Sequence, residues 1–146
     1  MYTIGQVSKM FGIPISTLRY YDREGLFLGM QRQAGIRRFG ERELEALRVI
    51  ECLKASGLEI RDIRQFMAWC EQGPETYAQR KALFETRRAA VEQELKALQR
   101  TLDMLRFKCW YYETALADGG EERLSAMIPN DLPADVRACY DNAHAR

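Results

Sequence analysis

Apolar and polar positions follow several different rhythms along the chain, and each rhythm predicts its own element. Thr3 and Gln6 have the spacing of a capping box, which opens a short amphipathic helix through Phe11 that Gly12 ends. Pro14 then starts a second helix, its fixed φ suiting the first turn, and Gly25 closes it about three turns later. Two short helices joined by a tight glycine turn result. From Leu26 to Phe39 a short apolar-basic alternation predicts a small β-hairpin, a wing, with its turn around Gln33-Ala34-Gly35. A third helix is expected from about Glu41 to Ala55, broken by Ser56-Gly57, and a fourth from about Glu59 to Glu71, ended by Gly73-Pro74. Leu58, Ile60, Ile63, Phe66 and Met67 form the buried face of the fourth.

The most regular pattern comes next. Phe84, Val91, Leu95, Leu98, Leu102, Leu105, Cys109, Tyr112 and Leu116 keep an alternating three-four spacing that only Arg88 interrupts, the signature of a coiled-coil seam. A helix from about Thr76 to Ala117 is roughly 60 Å long at 1.5 Å per residue, far longer than a small globule covers. Its seam needs a partner, most simply the same helix of a second chain. The tail after Gly119-Gly120 holds Pro129 and Pro133 and few large apolar residues, so it either docks as a short helix or stays mobile.

Composition changes this picture only in part. At 146 residues the chain accommodates one globule and an arm rather than two full domains. No apolar run approaches a membrane span, no signal peptide is evident, and Cys52, Cys70, Cys109 and Cys139 form no C-x-x-C pair. A cytoplasmic protein that meets no membrane is the expectation. Net charge is close to neutral, but its distribution is not. Residues 1–40 carry Lys9, Arg19, Arg23, Arg32, Arg37 and Arg38 against Asp22 and Glu24, an excess that attracts phosphates.

On the second helix Ser16, Arg19, Tyr20 and Arg23 stand at i, i+3, i+4 and i+7, while Ile15 and Leu18 point to the core and Tyr21 lies near the border. A face of hydroxyl, guanidinium and phenol suits a helix in the major groove, where hydroxyls hold phosphates and arginine donates to a guanine edge. A merely solvated face has the same composition. The tight turn before it and the basic hairpin after it favour DNA.

Taken together, Tyr2-Thr3-Ile4-Gly5-Gln6-Val7, Ser16-Thr17-Leu18-Arg19-Tyr20-Tyr21-Asp22, Glu24-Gly25-Leu26, Gly35-Ile36-Arg37-Arg38-Phe39 and Ile60-Arg61-Asp62-Ile63 resemble the MerR family of bacterial regulators. The resemblance implies a mainly α fold: a winged helix-turn-helix DNA-binding domain over residues 1–73, a long antiparallel coiled-coil dimerisation helix over 74–118, and a tail over 119–146. It further implies a homodimer, joined through residues 76–117, that binds double-stranded promoter DNA and distorts it on a signal, acting on RNA polymerase indirectly. Thr17, Arg19 and Tyr20 resemble the family's recognition-helix contacts, and Arg37 or Arg38 its wing contact. Leu28-Gly29-Met30 replaces prolines frequent in the family, and Phe39 replaces a tyrosine, losing a hydroxyl. Arg61 is either a further phosphate contact or a plain surface residue.

The metal- and cluster-binding cysteine groups of some relatives are not matched. Beyond Ala117 only Cys139 and His144 remain, too few for a closed site in one chain, so no metal and no cofactor is expected. Ile50-Glu51-Cys52-Leu53-Lys54 resembles the aldehyde- and thiol-stress-responsive branch, which makes Cys52 the sensing candidate. Arg48 lies one turn before it, placed to favour a thiolate. A small apolar filler is the alternative for Cys52, while Cys109 reads as seam packing and Cys70 as structural. With no phosphate-binding glycine loop and no catalytic histidine arrangement, an enzyme is not expected.

Overall fold

The computed structural model describes residues 1–145, the side chain of Gln31 excepted. The chain forms two compact units, Met1–Arg87 and a second from Arg88 onward.

The first unit opens with α1 (Ile4–Phe11). Its capping box is closed in both directions: Thr3 Oγ1 accepts from the Gln6 N–H at 3.2 Å, and the Thr3 N–H donates to Gln6 Oε1 at 2.8 Å. Gly12 sits in the left-handed region, φ 66°, and lets the chain turn at once into α2 (Ile15–Arg23), with Pro14 as the N-cap one residue before the helix. β1 (Gln31–Gln33) and β2 (Ile36–Arg38) pair antiparallel, with Arg32 opposite Arg37. The turn between them places Ala34 (φ 52°) and Gly35 (φ 78°) both at positive φ, as a two-residue hairpin requires. Backbone bonds between Tyr2 and Phe39, at 2.7 and 2.9 Å, tie the N-terminus to the end of the wing.

α3 (Glu41–Ala55) and α4 (Ile60–Gln72) cover the helix-turn-helix. Val7, Leu18, Tyr21, Leu26, Phe39, Leu44, Leu47, Ile50 and Ile63 are fully buried together, and Phe39 meets Phe27 edge to face at 5.5 Å. Phe39 is therefore core, which explains why the ring matters here and a hydroxyl does not. After a 3₁₀ turn over Pro74–Thr76, α5 runs as one helix from Tyr77 to Asp118. Buried Thr76 donates to Trp69 O (2.7 Å), and Arg80 donates to Gly73 O (2.7 Å), so the open carbonyls at the end of α4 are satisfied from the 3₁₀ turn and the start of α5.

In the second unit the tail settles the alternative posed by its sequence: it folds and docks. Gly119 ends α5 in the left-handed region, and two helices follow, α6 (Glu122–Met127) and α7 (Ala134–Ala143). They bury Phe107, Leu132 and Val136, with Trp110, Tyr111, Met127, Ile128 and Tyr140 around them. Asp103, 7% exposed, accepts from Asn142 Nδ2 at 2.5 Å and latches α7 to α5.

Candidate nucleic-acid interface

α2 is amphipathic because its apolar positions recur one turn apart, but its buried pair is Leu18 and Tyr21, not Ile15 and Leu18 as its sequence suggests. Ile15 is 37% exposed at the first turn, where the helix has just left Pro14 and no core element covers it. Tyr21 is buried because its phenol finds partners inside: it donates to Glu51 Oε1 at 2.7 Å and accepts from Lys54 Nζ at 3.0 Å. Burial, assisted by Glu51 against the opposing hydrogen bond from Lys54, pushes the Tyr21 hydroxyl above its ordinary pKa. The hydrogen bond to Tyr21 raises that of Lys54. The opposite face of α2 carries Ser16, Arg19, Tyr20 and Arg23, all exposed, with Thr17 half-buried at its edge. The expected DNA-facing set of this helix thus shares one accessible surface.

The wing is joined to this helix through a residue that sequence reasoning counted only as an offsetting charge. Asp22, on α2, accepts from Arg32 at 2.8 Å and from Arg37 Nε at 2.5 Å. Two arginines directly opposite each other on a hairpin repel, and a carboxylate between them turns that repulsion into a bridge. The signal in the sequence was an acidic residue amid basic ones, but nothing in it names a partner ten or fifteen residues away. Arg37 therefore lies half-buried against α2 with its Nε committed. Arg38, next along β2, projects from the other face of the hairpin, and its Nε is buried without a hydrogen-bond partner. Arg61 stands exposed at the start of α4, 3.7 Å from Glu59.

The cysteines separate by environment. Cys52 is exposed on α3. Arg48, one turn before it, is engaged with Glu45 and lies over the Phe11 ring at 5.9 Å. Cys70 is not the structural residue expected: it is exposed and lines a mainly apolar groove of about 320 Å³ bounded by α3, α4 and Leu26 to Leu28. Cys109 is exposed on α5, while Cys139 is half-buried, its thiol pushed above its ordinary pKa by burial and by the neighbouring Asp103 carboxylate. No helix among the described residues is long and apolar enough to cross a membrane.

Residues 2–69 match the family described as MerR HTH family regulatory protein, and residues 44–106 the one described as MerR, DNA binding. A Haemophilus influenzae protein described as an uncharacterized HTH-type transcriptional regulator is 36% identical over 119 residues, 81% of this chain and 88% of that protein. The HTH-type transcriptional regulator AdhR of Bacillus subtilis is 34% identical over 86 residues, 58% of this chain and 61% of AdhR. Among solved structures, HiNmlR, a MerR family regulator lacking the sensor domain and bound to promoter DNA, is similar with a TM-score of 0.62 at 36% identity, covering 82% of this chain and 95% of that one. The exposed helix-turn-helix face, the wing and these matches carry one conclusion: the chain belongs to the MerR family of helix-turn-helix transcriptional regulators, which are DNA-binding proteins and not enzymes.

Proposed function

We propose that this chain binds promoter DNA in the cytoplasm as a homodimer, each copy placing α2 in a major groove and its wing against the neighbouring backbone. The observation that carries the reading is the face of Ser16, Arg19, Tyr20 and Arg23, held open on a helix whose other side is locked by Leu18 and Tyr21. A helix that presents itself to a base edge must not rotate, and the Asp22 bridge adds a second point of fixation through the wing. That HiNmlR was solved on promoter DNA supports the same geometry for its relative here. Arg19 is assigned to a base edge, Ser16, Thr17, Tyr20 and Arg23 to phosphates or base edges around it, and Arg37 and Arg38 to the wing contact.

Titrating the protein into fluorescent DNA from upstream of its own gene tests this. Arg19→Ala should weaken specific binding by about 1–3 kcal/mol, and binding should fall steeply with salt. Unaltered operator affinity in that variant overturns the assignment.

The input end is proposed at Cys52, whose thiol stands exposed on α3 where a small electrophile reaches it. Addition to an aldehyde forms an S–C bond, the carbonyl electrons pass to oxygen, and the thiol proton follows them. No oxidant is needed. Such a stress response, converted to DNA distortion that helps polymerase, accords with the similarity to AdhR. Cys52→Ala should retain DNA affinity and lose induction by aldehydes. Induction that persists assigns the signal elsewhere.

A further inference from the structure

The groove bounded by α3, α4 and Leu26 to Leu28 contains none of the residues assigned to DNA, nor Cys52. Its volume of about 320 Å³ lies in the range that holds a small organic molecule. Leu26 and Phe27 are buried in its wall, Ala46, Phe66 and Met67 are half-buried, and Val49 is 37% exposed. The Phe66 ring is held edge to face by Phe84 at 5.2 Å, so it stays in the wall and leaves the space open.

The charges lining the groove are unequal. Glu43, Glu45 and Glu71 stand against a single cation, Arg42. Arg42 is already bound to Glu71, and Glu45 pairs with Arg48, which does not line the groove. Glu43 is 9% exposed and accepts from the Gly40 N–H at 2.8 Å, with no cationic side chain among the described residues paired to it. A carboxylate this far from water is weakly screened. An organic anion is therefore repelled here, a neutral molecule gains only the apolar wall, and an apolar cation gains both wall and charge.

The same groove touches the DNA-reading parts through the backbone. Leu26 to Leu28 belongs to the stretch that joins the end of α2 at Arg23 to the start of β1 at Gln31. An occupant that favours one conformation of this link changes affinity for DNA, and DNA changes affinity for the occupant by the same factor.

We propose that this groove reversibly binds a small apolar cation, an aromatic amine in size and shape, with its ring against Phe66 and Met67 and its ammonium among the three carboxylates. Its occupancy biases the link between the recognition helix and the wing. The site involves no covalent step and stands whether or not Cys52 senses electrophiles.

Cys70 lines the groove and Cys52 does not, which provides a reporter in the unaltered full chain. The probe is naphthylmethylamine, with naphthylmethanol and naphthylacetate as its neutral and anionic counterparts. At saturation the amine should slow iodoacetamide labelling of Cys70 at least fivefold and leave Cys52 unchanged, with weaker protection by the alcohol and none by the acetate. No protection at millimolar amine, or equal protection of both cysteines, overturns the site. Protection by the alcohol or the acetate as strong as by the amine overturns the cation. In Glu45→Gln/Glu71→Gln, amine affinity should fall about fivefold while alcohol affinity holds, and an equal change in both again overturns the cation. Labelling of Cys70 in the free protein that slows as the protein is concentrated gives the groove to a second copy and overturns the small-molecule occupant. Saturating amine should also shift affinity for the promoter fragment at least twofold, and an unchanged affinity removes the link to the wing.

Discussion

The two units use the same kind of helix in opposite ways. In the first, α1 to α4 close around a shared core, and Val7, Leu18, Leu47, Ile50 and Ile63 have no exposure at all. In the second, a single long helix meets two short ones, Phe107, Leu124, Leu132 and Val136 are buried, and Leu95, Leu98 and Leu105 remain more than half exposed. A unit that buries its apolar residues internally owes its stability to its own sequence. Under the proposed homodimer, one that leaves a stripe open owes part of it to protein concentration. Trp69 lies in the first unit and Trp110 in the second, so variants that keep one tryptophan read the two separately.

The contrast can be broken most severely at the seam. In the proposed homodimer Leu98→Arg places a charge in the apolar stripe of each copy and should weaken self-association by at least roughly 1000-fold, since one unpaired buried charge alone costs about 4 kcal/mol. Sedimentation equilibrium measures it, and a persistent dimer shows the seam is misplaced. In the first unit, Leu18→Ala opens a cavity in a closed core and should lower stability by about 3 kcal/mol. Its urea midpoint, read at Trp69, should not move with protein concentration, whereas a midpoint that tracked dilution would erase the distinction between the units.

Acid and alkali sharpen the comparison further. The hydrogen bond from Asn142 holds the Asp103 carboxyl below the usual carboxylate range, so the unfolded chain binds more protons in acid. Stability from this group is present above about pH 4 and is lost as pH falls through the folded value. Asp103→Asn should flatten that acid limb at Trp110. Tyr21 and Lys54 have raised values, so their contribution is full below about pH 10 and is lost as pH rises through the folded values. Tyr21→Phe should flatten the alkaline limb at Trp69. The smallest change expected is a gain: Ala34→Gly relieves a positive φ at the wing turn and should add about 0.5–1 kcal/mol in thermal unfolding, provided the wing keeps its turn.

Much of the first unit was legible because its signals are local. Thr3 and Gln6, Gly12, the Ala34-Gly35 turn and Ser56-Gly57 each act within four residues of themselves; the helices they bound lie within a residue or two of expectation, whereas the wing expected from Leu26 has its first strand only from Gln31, because Leu26 and Phe27 are drawn into the core. The candidate site was legible in the same sense, since Ser16, Arg19, Tyr20 and Arg23 are neighbours on one helix. What α2 buries was not. Ile15 is the more hydrophobic residue, yet Tyr21 takes the core position because Glu51 and Lys54, thirty residues on, supply partners for its hydroxyl. Asp22 escaped notice as the bridge to the wing for a related reason: charge counting records its sign and not its neighbours.

By itself, then, the sequence determined the helix-turn-helix, the wing, the length of α5 and the positions of its apolar stripe, all of which follow from periodicity and turn chemistry along the backbone. Only the tertiary structure decided that Asp22 joins Arg32 and Arg37, that Cys70 is exposed, and that α6 and α7 cover the outer face of α5 through Phe107 and Asp103. Those outcomes depend on which groups are desolvated together, and desolvation is settled by packing between residues far apart in the chain.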